Sequence, residues 1–456
     1  MHDTTPAQAD CLTAFGALRE NIASAAGTTI ELGEGCNRFP PSPDLARYLS
    51  ALLDRLIRDG TFSAYAGPRP AAAREAMADL LGTHLNMKLD ATNIFFTRGG
   101  TEAISLSIAH LAESGHGLVL PLPNYYAFDQ CAVRWGAPVT GYYRHDGAVH
   151  PTGAALPPRT CLVEVLPNGV TGARHTLPDG AEPHFTLIDA PFQISAGQPH
   201  PIAILRDRMQ DTDLDRAALI LTASKDLSLP GLRAAVIVTR DKALLQHLAR
   251  DRFERMAMSG NPIGEIVMIF YASLLAVLEA PAEQTGKLVQ IAHDVAYEAG
   301  LPSLPDEETY RSVRDHLAVM SERFRLNNRT LDSPSSPLRR IADLEPAAGY
   351  SAFAELRHPQ ESFLPWVVQC GRSGLLLNPT VVHGGTTDAW ETLYPDRQLL
   401  RINLSEDPAT LDRGLRLLHR YATESAREPS HGFEEAGQAQ LLPGRQPAGR
   451  SLERLA

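Results

Sequence analysis

Lys225 and Arg233 lie eight positions apart in the stretch TASKDLSLPGLRAAVIVTR (residues 222–240), in a polar loop between two runs of β-forming residues. An amine at the end of a strand can attack a carbonyl compound, and a guanidinium opening the next strand presents a planar fork that fits phosphate oxygens. Asp189 ends another run, FTLIDA, at a point where a carboxylate has no use in an apolar core. In NIFFTRGGTEAISLSIAHL, Gly99 and Gly100 separate a β-rich run from a helical one. Glycines there let the backbone approach a ligand, and a new helix presents unpaired N–H groups with partial positive charge. Each feature has an ordinary reading on its own: a solvated lysine, an ion-paired arginine, a tight turn capped by Thr101. What sets the amine, the carboxylate and the glycine pair apart is that each ends or follows a strand, with Arg233 opening the next one.

The elements that must position them follow from the hydrophobic pattern. NIFFT, GLVLP, PVTGYY, CLVEVL, FTLID, ALILTAS and AAVIVTR alternate with helical stretches from about residue 92 onward. That alternation predicts an α/β fold, with a mostly parallel sheet between helices, and ligands in such sheets bind beyond the carboxyl ends of the strands. After about residue 282 the pattern becomes a long charged helix and then an α+β stretch with SAFAEL, GLLLNP and LRINLS. The expected organisation is an N-terminal segment over residues 1–50 that joins a small domain, a large domain over 51–300, the small C-terminal domain over 301–427, and a flexible tail over 428–456. The tail, EPSHGFEEAGQAQLLPGRQPAGRSLERLA, is too rich in Pro and Gly to build its own core.

Bulk properties narrow the function classes. The chain has 456 residues and a formal charge of −11 with the two signs interspersed, so no basic stripe suggests a nucleic-acid partner. Five scattered cysteines, Cys11, Cys36, Cys131, Cys161 and Cys370, form no CxxC pair, which disfavours a disulfide framework and a thiolate zinc site; no metal is expected. The start lacks a charged-then-apolar leader pattern, and the most apolar run, IVMIFYASLLAVL, is shorter than the roughly 20 residues a membrane span needs. A buried helix in a cytoplasmic protein is the expectation.

A phosphate cradle, an amine, a carboxylate and a second cation at one sheet edge are the groups that pyridoxal phosphate requires: a lysine for its Schiff base, an acid against its ring nitrogen and donors for its phosphate. With these residues the sequence resembles the class I/II aminotransferases, fold-type I pyridoxal-phosphate enzymes, over most of residues 30–425. The pattern S-K-x-x-x-x-P-G-x-R, here Ser224, Lys225, Pro230, Gly231 and Arg233, carries the resemblance most specifically. The resemblance implies a large domain with a seven-stranded sheet and a smaller α+β domain. It implies Lys225 as the catalytic residue carrying the cofactor, with Thr222, Arg233, Gly100 and Thr101 at the phosphate and Asp189 at the ring nitrogen. In PLPNYYAF it puts Tyr125 on the ring, ahead of Tyr126. AYAGPRP is similar to the segment that lends a tyrosine, here Tyr65, to the neighbouring subunit's phosphate, and SGNPIGE is similar to an interface loop with Asn261 nearby. Both imply a homodimer with shared active sites. Arg401 in LRINLS matches the arginine for the substrate α-carboxylate, and Asn37 in LGEGCNRFPPSP matches a substrate-facing position. Two departures stand out. LPNGVTG puts Gly169 where an asparagine is implied unless Asn168 serves instead, and DAPF puts Phe192 where a phenol is implied.

The implied activity is amino transfer between an α-amino acid and a 2-oxo acid. A lyase, cyclase or carbon–carbon bond-forming synthase would use the same groups, and the two departures keep that alternative open. A DNA-binding regulator would need a basic helix, and a nicotinamide dehydrogenase would need G-x-G-x-x-G after the first strand; neither pattern is present.

Overall fold

The computed structural model describes residues 29–63, 70–144, 147–152, 159–173, 182–194, 201–254, 261–341 and 349–425, with Gly16 and Arg19. Its strands are β1 (Ile30–Glu31), β2 (Ile94–Thr97), β3 (Gly117–Pro121), β4 (Val139–Tyr143), β5 (Val149–Pro151), β6 (Thr160–Val165), β7 (Phe185–Ala190), β8 (Ala217–Thr222), β9 (Ala235–Thr239), β10 (Leu338–Arg340), β11 (Ser351–Leu356), β12 (Leu375–Leu376), β13 (Asn378–Pro379) and β14 (Leu399–Asn403).

The large sheet runs β2-β9-β8-β7-β6-β3-β4-β5. Strands β8, β7, β6, β3 and β4 are mutually parallel, and β9 lies antiparallel between β2 and β8. Helices cover both faces, so the central strands are apolar on both sides and read as unbroken hydrophobic runs. In β8, Leu219 and Leu221 enter the core under one face while Ala218 and Ile220 enter the core under the other. The sheet has eight strands where seven were expected. The extra one, β5, is a three-residue edge strand hydrogen-bonded antiparallel to β4 and largely exposed, so it carries no apolar alternation to read.

Helix boundaries follow local chemistry. Helix Pro43–Arg58 starts with Ser42 accepting from the Leu45 N–H, has Pro at its first position, and buries Leu45, Leu52 and Leu56. Helix Pro262–Glu279 is apolar all round because it lies inside the larger core, capped by the Asn261 side chain. It is the one helix among the described residues long and apolar enough to cross a membrane by length and composition, and its position is that of a core helix.

The second sheet, β10-β11-β14-β13, has its own apolar cluster, which includes Ala352, Leu400, Ile402 and Trp366. Strand β1 pairs with β12, Ile30 opposite Leu375, so the segment ahead of helix Pro43–Arg58 is held by the C-terminal part of the chain. The 25-residue helix Glu307–Leu331 packs Tyr310, Val313, Leu317, Met320 and Phe324 into the large core and its last residue, Leu331, into the small one. The tail over 428–456 lies outside the described residues.

Candidate active site

The site is built where β2, β7, β8 and β9 meet the segment after β1. Lys225 follows β8, and its Nζ donates to the Gly35 carbonyl at 2.7 Å. Asp189, next to last in β7, is 5 % exposed and accepts no hydrogen bond from any described residue. Burial raises its carboxyl from 3.8 to about 7, and the Lys225 charge opposes that rise. A buried carboxylate without a donor beside an amine is a place prepared for a cationic N–H.

On the far side of this pair, Gly99 takes φ +87° and caps helix Gly100–Glu113 without a side-chain bond, leaving the first helical N–H groups directed into the site. A Cβ on Gly99 would stand 2.7 Å from Arg233 Nη2, so only glycine lets that guanidinium reach the helix end. Gly100 lies against the Thr222 methyl group, and Thr222 Oγ1 bonds Ser224 Oγ at 2.9 Å and the Ala234 carbonyl at 2.8 Å. Arg233 itself has φ +53°, and Asn261 Nδ2 donates to the Leu232 and Arg233 carbonyls at 2.8 and 3.0 Å, fixing that conformation. Asn261 thus holds the backbone beneath the guanidinium. Thr101 is the second residue of its helix, not the cap, and its Oγ1 meets the Tyr125 hydroxyl at 3.3 Å. Burial pushes the Tyr125 phenol up to about 12.

Arg401 on β14 supplies the other end. Its Nε and Nη2 donate to Ser351 Oγ at 3.2 and 2.9 Å, which leaves the Nη1 end of the fork facing Gly35. The guanidinium is deeply buried, burial lowers its pKa against the opposing effect of Tyr350, Cys36 and Glu34, and among the described residues no carboxylate forms a salt bridge with it. A buried cation without a salt-bridge partner is a receptor for an anion.

Several expected residues also bond the backbone. Asn168 is fully buried: its amide donates to the Pro123 carbonyl at 2.9 Å and its oxygen accepts from the Val170 and Thr171 N–H groups, so it builds the loop. Asn37 donates to the Lys225 backbone carbonyl at 2.9 Å and so supports the segment that carries the lysine. Gly169 adds no donor and abuts Pro191. Phe192 is buried, with its ring tip against Gly349 and its ring centroid 5.7 Å from that of Tyr350. Tyr65 lies outside the described residues. Ser351, Tyr350 and Gly35 were missed, and Ser224, named in the S-K pattern, was given no role of its own.

A buried carboxylate awaiting an N–H, a helix end opened by glycine toward Arg233, and an amine between them fit pyridoxal phosphate.

The model of the family "Aminotransferase class I and II" matches residues 28–155. Nicotianamine aminotransferase 1 of Oryza sativa subsp. japonica is 43 % identical over 88 residues, 19 % of this chain and 18 % of that protein. Nicotianamine aminotransferase A of Hordeum vulgare is 42 % identical over 71 residues, 15 % of each chain. The chain therefore aligns with less than a fifth of the length of these curated relatives. Among solved structures, a probable N-succinyldiaminopimelate aminotransferase of Thermus thermophilus superposes with a TM-score of 0.60 at 18 % identity, over 90 % of this chain and 100 % of that one. An Escherichia coli protein described with a methionine aminotransferase function gives 0.62 at 16 %, over 90 % and 96 %. These identities establish a shared fold. Residues 28–155 thus match the class I and II aminotransferase family, and the chain shares the fold of the solved aminotransferases.

Proposed function

We propose that the chain is a pyridoxal-phosphate-dependent aminotransferase that moves an amino group between an α-amino acid and a 2-oxo acid. The observation that carries this reading is Lys225, at the end of β8, beside the buried and otherwise unbonded Asp189 carboxylate. Gly100, Thr101, Thr222, Ser224 and Arg233 would hold the phosphate, Asp189 the ring nitrogen, and Tyr125 one face of the ring. When bound, the cofactor supplies an electron sink for a carbanion at the amino acid's α-carbon. Arg401 grips the α-carboxylate end-on, since Ser351 occupies the other edge of the fork. That grip fixes the α-carbon within reach of the Lys225 amine, which removes and returns its proton.

Borohydride reduction and peptide mapping of the purified protein should place a pyridoxyl group on the Lys225 peptide; recovery on another lysine overturns the reading. Mixing the protein with amino acids and no acceptor should yield 2-oxo acid in one-to-one ratio with protein. Catalytic release of ammonia or of a cyclised product would instead favour a lyase, cyclase or synthase. That second reading draws on the lack of any donor from Gly169 or Phe192.

We extend the proposal to a homodimer with shared active sites. Leu53, Ile57 and Phe62 are 39 %, 58 % and 49 % exposed, next to the segment that carries Tyr65, and would be covered by a second copy. Sedimentation at micromolar concentration tests this. A cytoplasmic location completes the proposal, tested by cell fractionation.

A further inference from the structure

Two buried carboxylates stand near Lys225, and the chain provides for them in opposite ways. Asp189 accepts from no described residue, whereas Asp226, next in sequence to the lysine and buried, accepts three hydrogen bonds. The Gln193 N–H donates to its Oδ2 at 2.7 Å, the Ile194 N–H donates to its Oδ1 at 3.2 Å, and the Tyr271 hydroxyl also donates to Oδ2. Burial pushes the Asp226 carboxyl up to about 7 against the pull of these three bonds. The donors belong to well-anchored partners. Gln193 and Ile194 lie a few residues beyond Asp189 in a segment that hooks round Leu166. The Leu166 N–H donates to the Asp189 carbonyl at 2.8 Å, and the Gln193 side chain donates to the Leu166 carbonyl at 3.1 Å. Tyr271 is fully buried in the core helix Pro262–Glu279. Inside the turn that carries Lys225, the Leu227 N–H donates to the Ala223 carbonyl and the Leu229 N–H to the Ser224 carbonyl, both at 3.1 Å. Those local bonds fix the shape of the turn but not its distance from β7.

We propose that Asp226 is a positioning residue: it ties the turn after β8 to the segment after β7 and to the core helix, and so sets the Lys225 amine at a fixed distance from the Asp189 carboxylate. The proposed reaction depends on that distance, because the amine must reach the cofactor and the α-proton while Asp189 holds the ring nitrogen. A misplacement on the order of 1 Å costs such a geometry up to about 100-fold in rate. The carboxylate is also hard to replace. Each of its oxygens takes one backbone N–H, so in Asp226→Asn the new NH2 faces a donor whichever way round the amide sits.

The inference rests on the proposed cofactor, and the test keeps the two apart. The full chain, freed of cofactor, is mixed with rising concentrations of pyridoxal phosphate at about pH 8.5, above the range in which Asp189 and Asp226 take up protons. Absorbance gives the maximal rate of linkage to Lys225 and the half-saturating concentration, and visible circular dichroism per bound cofactor reports how firmly its ring is held. Asp226→Asn should lower the maximal rate roughly 10–100-fold and the dichroism by about half, with the half-saturating concentration within about twofold, because Thr222 and Arg233 still serve the phosphate. Tyr271→Phe keeps the ring and both backbone donors, so it should lower the maximal rate by only about threefold; it carries the test if Asp226→Asn does not fold. Ser273→Ala removes a buried hydroxyl that bonds Tyr310 from the same helix, and it should change none of these readings. A wild-type maximal rate in Asp226→Asn, or in Tyr271→Phe where only that variant folds, overturns the positioning role alone. So does a loss explained wholly by the half-saturating concentration, or an equal loss in Ser273→Ala. A wild-type protein in which borohydride fixes no pyridoxal phosphate on Lys225 overturns the functional reading and this inference with it.

Discussion

Gly349 precedes Tyr350 with φ +75°, and a Cβ placed on it would stand 2.9 Å from Phe192 Cδ2 and closer still to Cε2 and Cζ. Two independent costs therefore meet in Gly349→Ala. The left-handed backbone disfavours an L-residue by roughly 1–2 kcal/mol, and forcing a methyl into a ring that is only 1 % exposed costs a further ~1–3 kcal/mol. The sum, about 2–5 kcal/mol, is a large part of the 5–15 kcal/mol typical of a folded domain. Urea unfolding of the full chain should show this loss in the single variant. A double-mutant cycle separates the parts: Phe192→Ala opens the space, so adding Gly349→Ala to it should cost only the backbone share of about 1–2 kcal/mol. If Gly349→Ala costs the same in both backgrounds, the ring does not press on that glycine and the account of Phe192 as a packing residue fails.

Arg401→Ala should weaken binding of a carboxylate ligand by about 2–5 kcal/mol while leaving the cofactor's absorbance in place, as read by equilibrium titration; loss of cofactor with affinity intact would contradict its assignment. For the protein freed of cofactor, Asp189 makes a signed prediction. Its folded value of about 7 exceeds the ordinary 3.8, so the stability it contributes is fully present below about pH 4 and is lost as pH rises through 7. Between about pH 5 and about pH 8 the loss should be roughly 2–3 kcal/mol. Asp189→Asn should flatten that part of the urea-midpoint profile, and superimposable profiles would refute the burial argument.

The central strands and the residues that follow them were legible because burial on both sheet faces demands unbroken apolar runs, and because polar side chains just past such runs have one place to go. Lys225, Asp189 and the Gly99–Gly100 turn were placed at strand ends by that logic. The backbone hydrogen bonds of Asn168 and Asn37 were not legible, because an amide side chain serves a nearby backbone as well as it serves a ligand, and periodicity does not distinguish the two. Gly35, Tyr350 and Ser351 left no signal because their roles arise from contacts between segments 50 to 315 residues apart. Strand β5 was unreadable because a short, exposed edge strand buries no alternating face.

The pairing of β1 with β12 has a consequence for how the chain is made. Ile30 and Glu31 are among the first described residues to leave the ribosome, and their partners Leu375 and Leu376 are among the last. Gly35, just beyond, is pinned by Asn403 from the same late stretch. The sheet that carries Asp189, Lys225 and Arg233 is complete once β9 has emerged. The amine end of the site can thus assemble during synthesis, while the stretch that will hold Gly35 waits with its edge unpaired for most of the chain's translation. For that interval the nascent protein depends on slow, distant closure, and the β1 segment is the one a chaperone has most reason to hold.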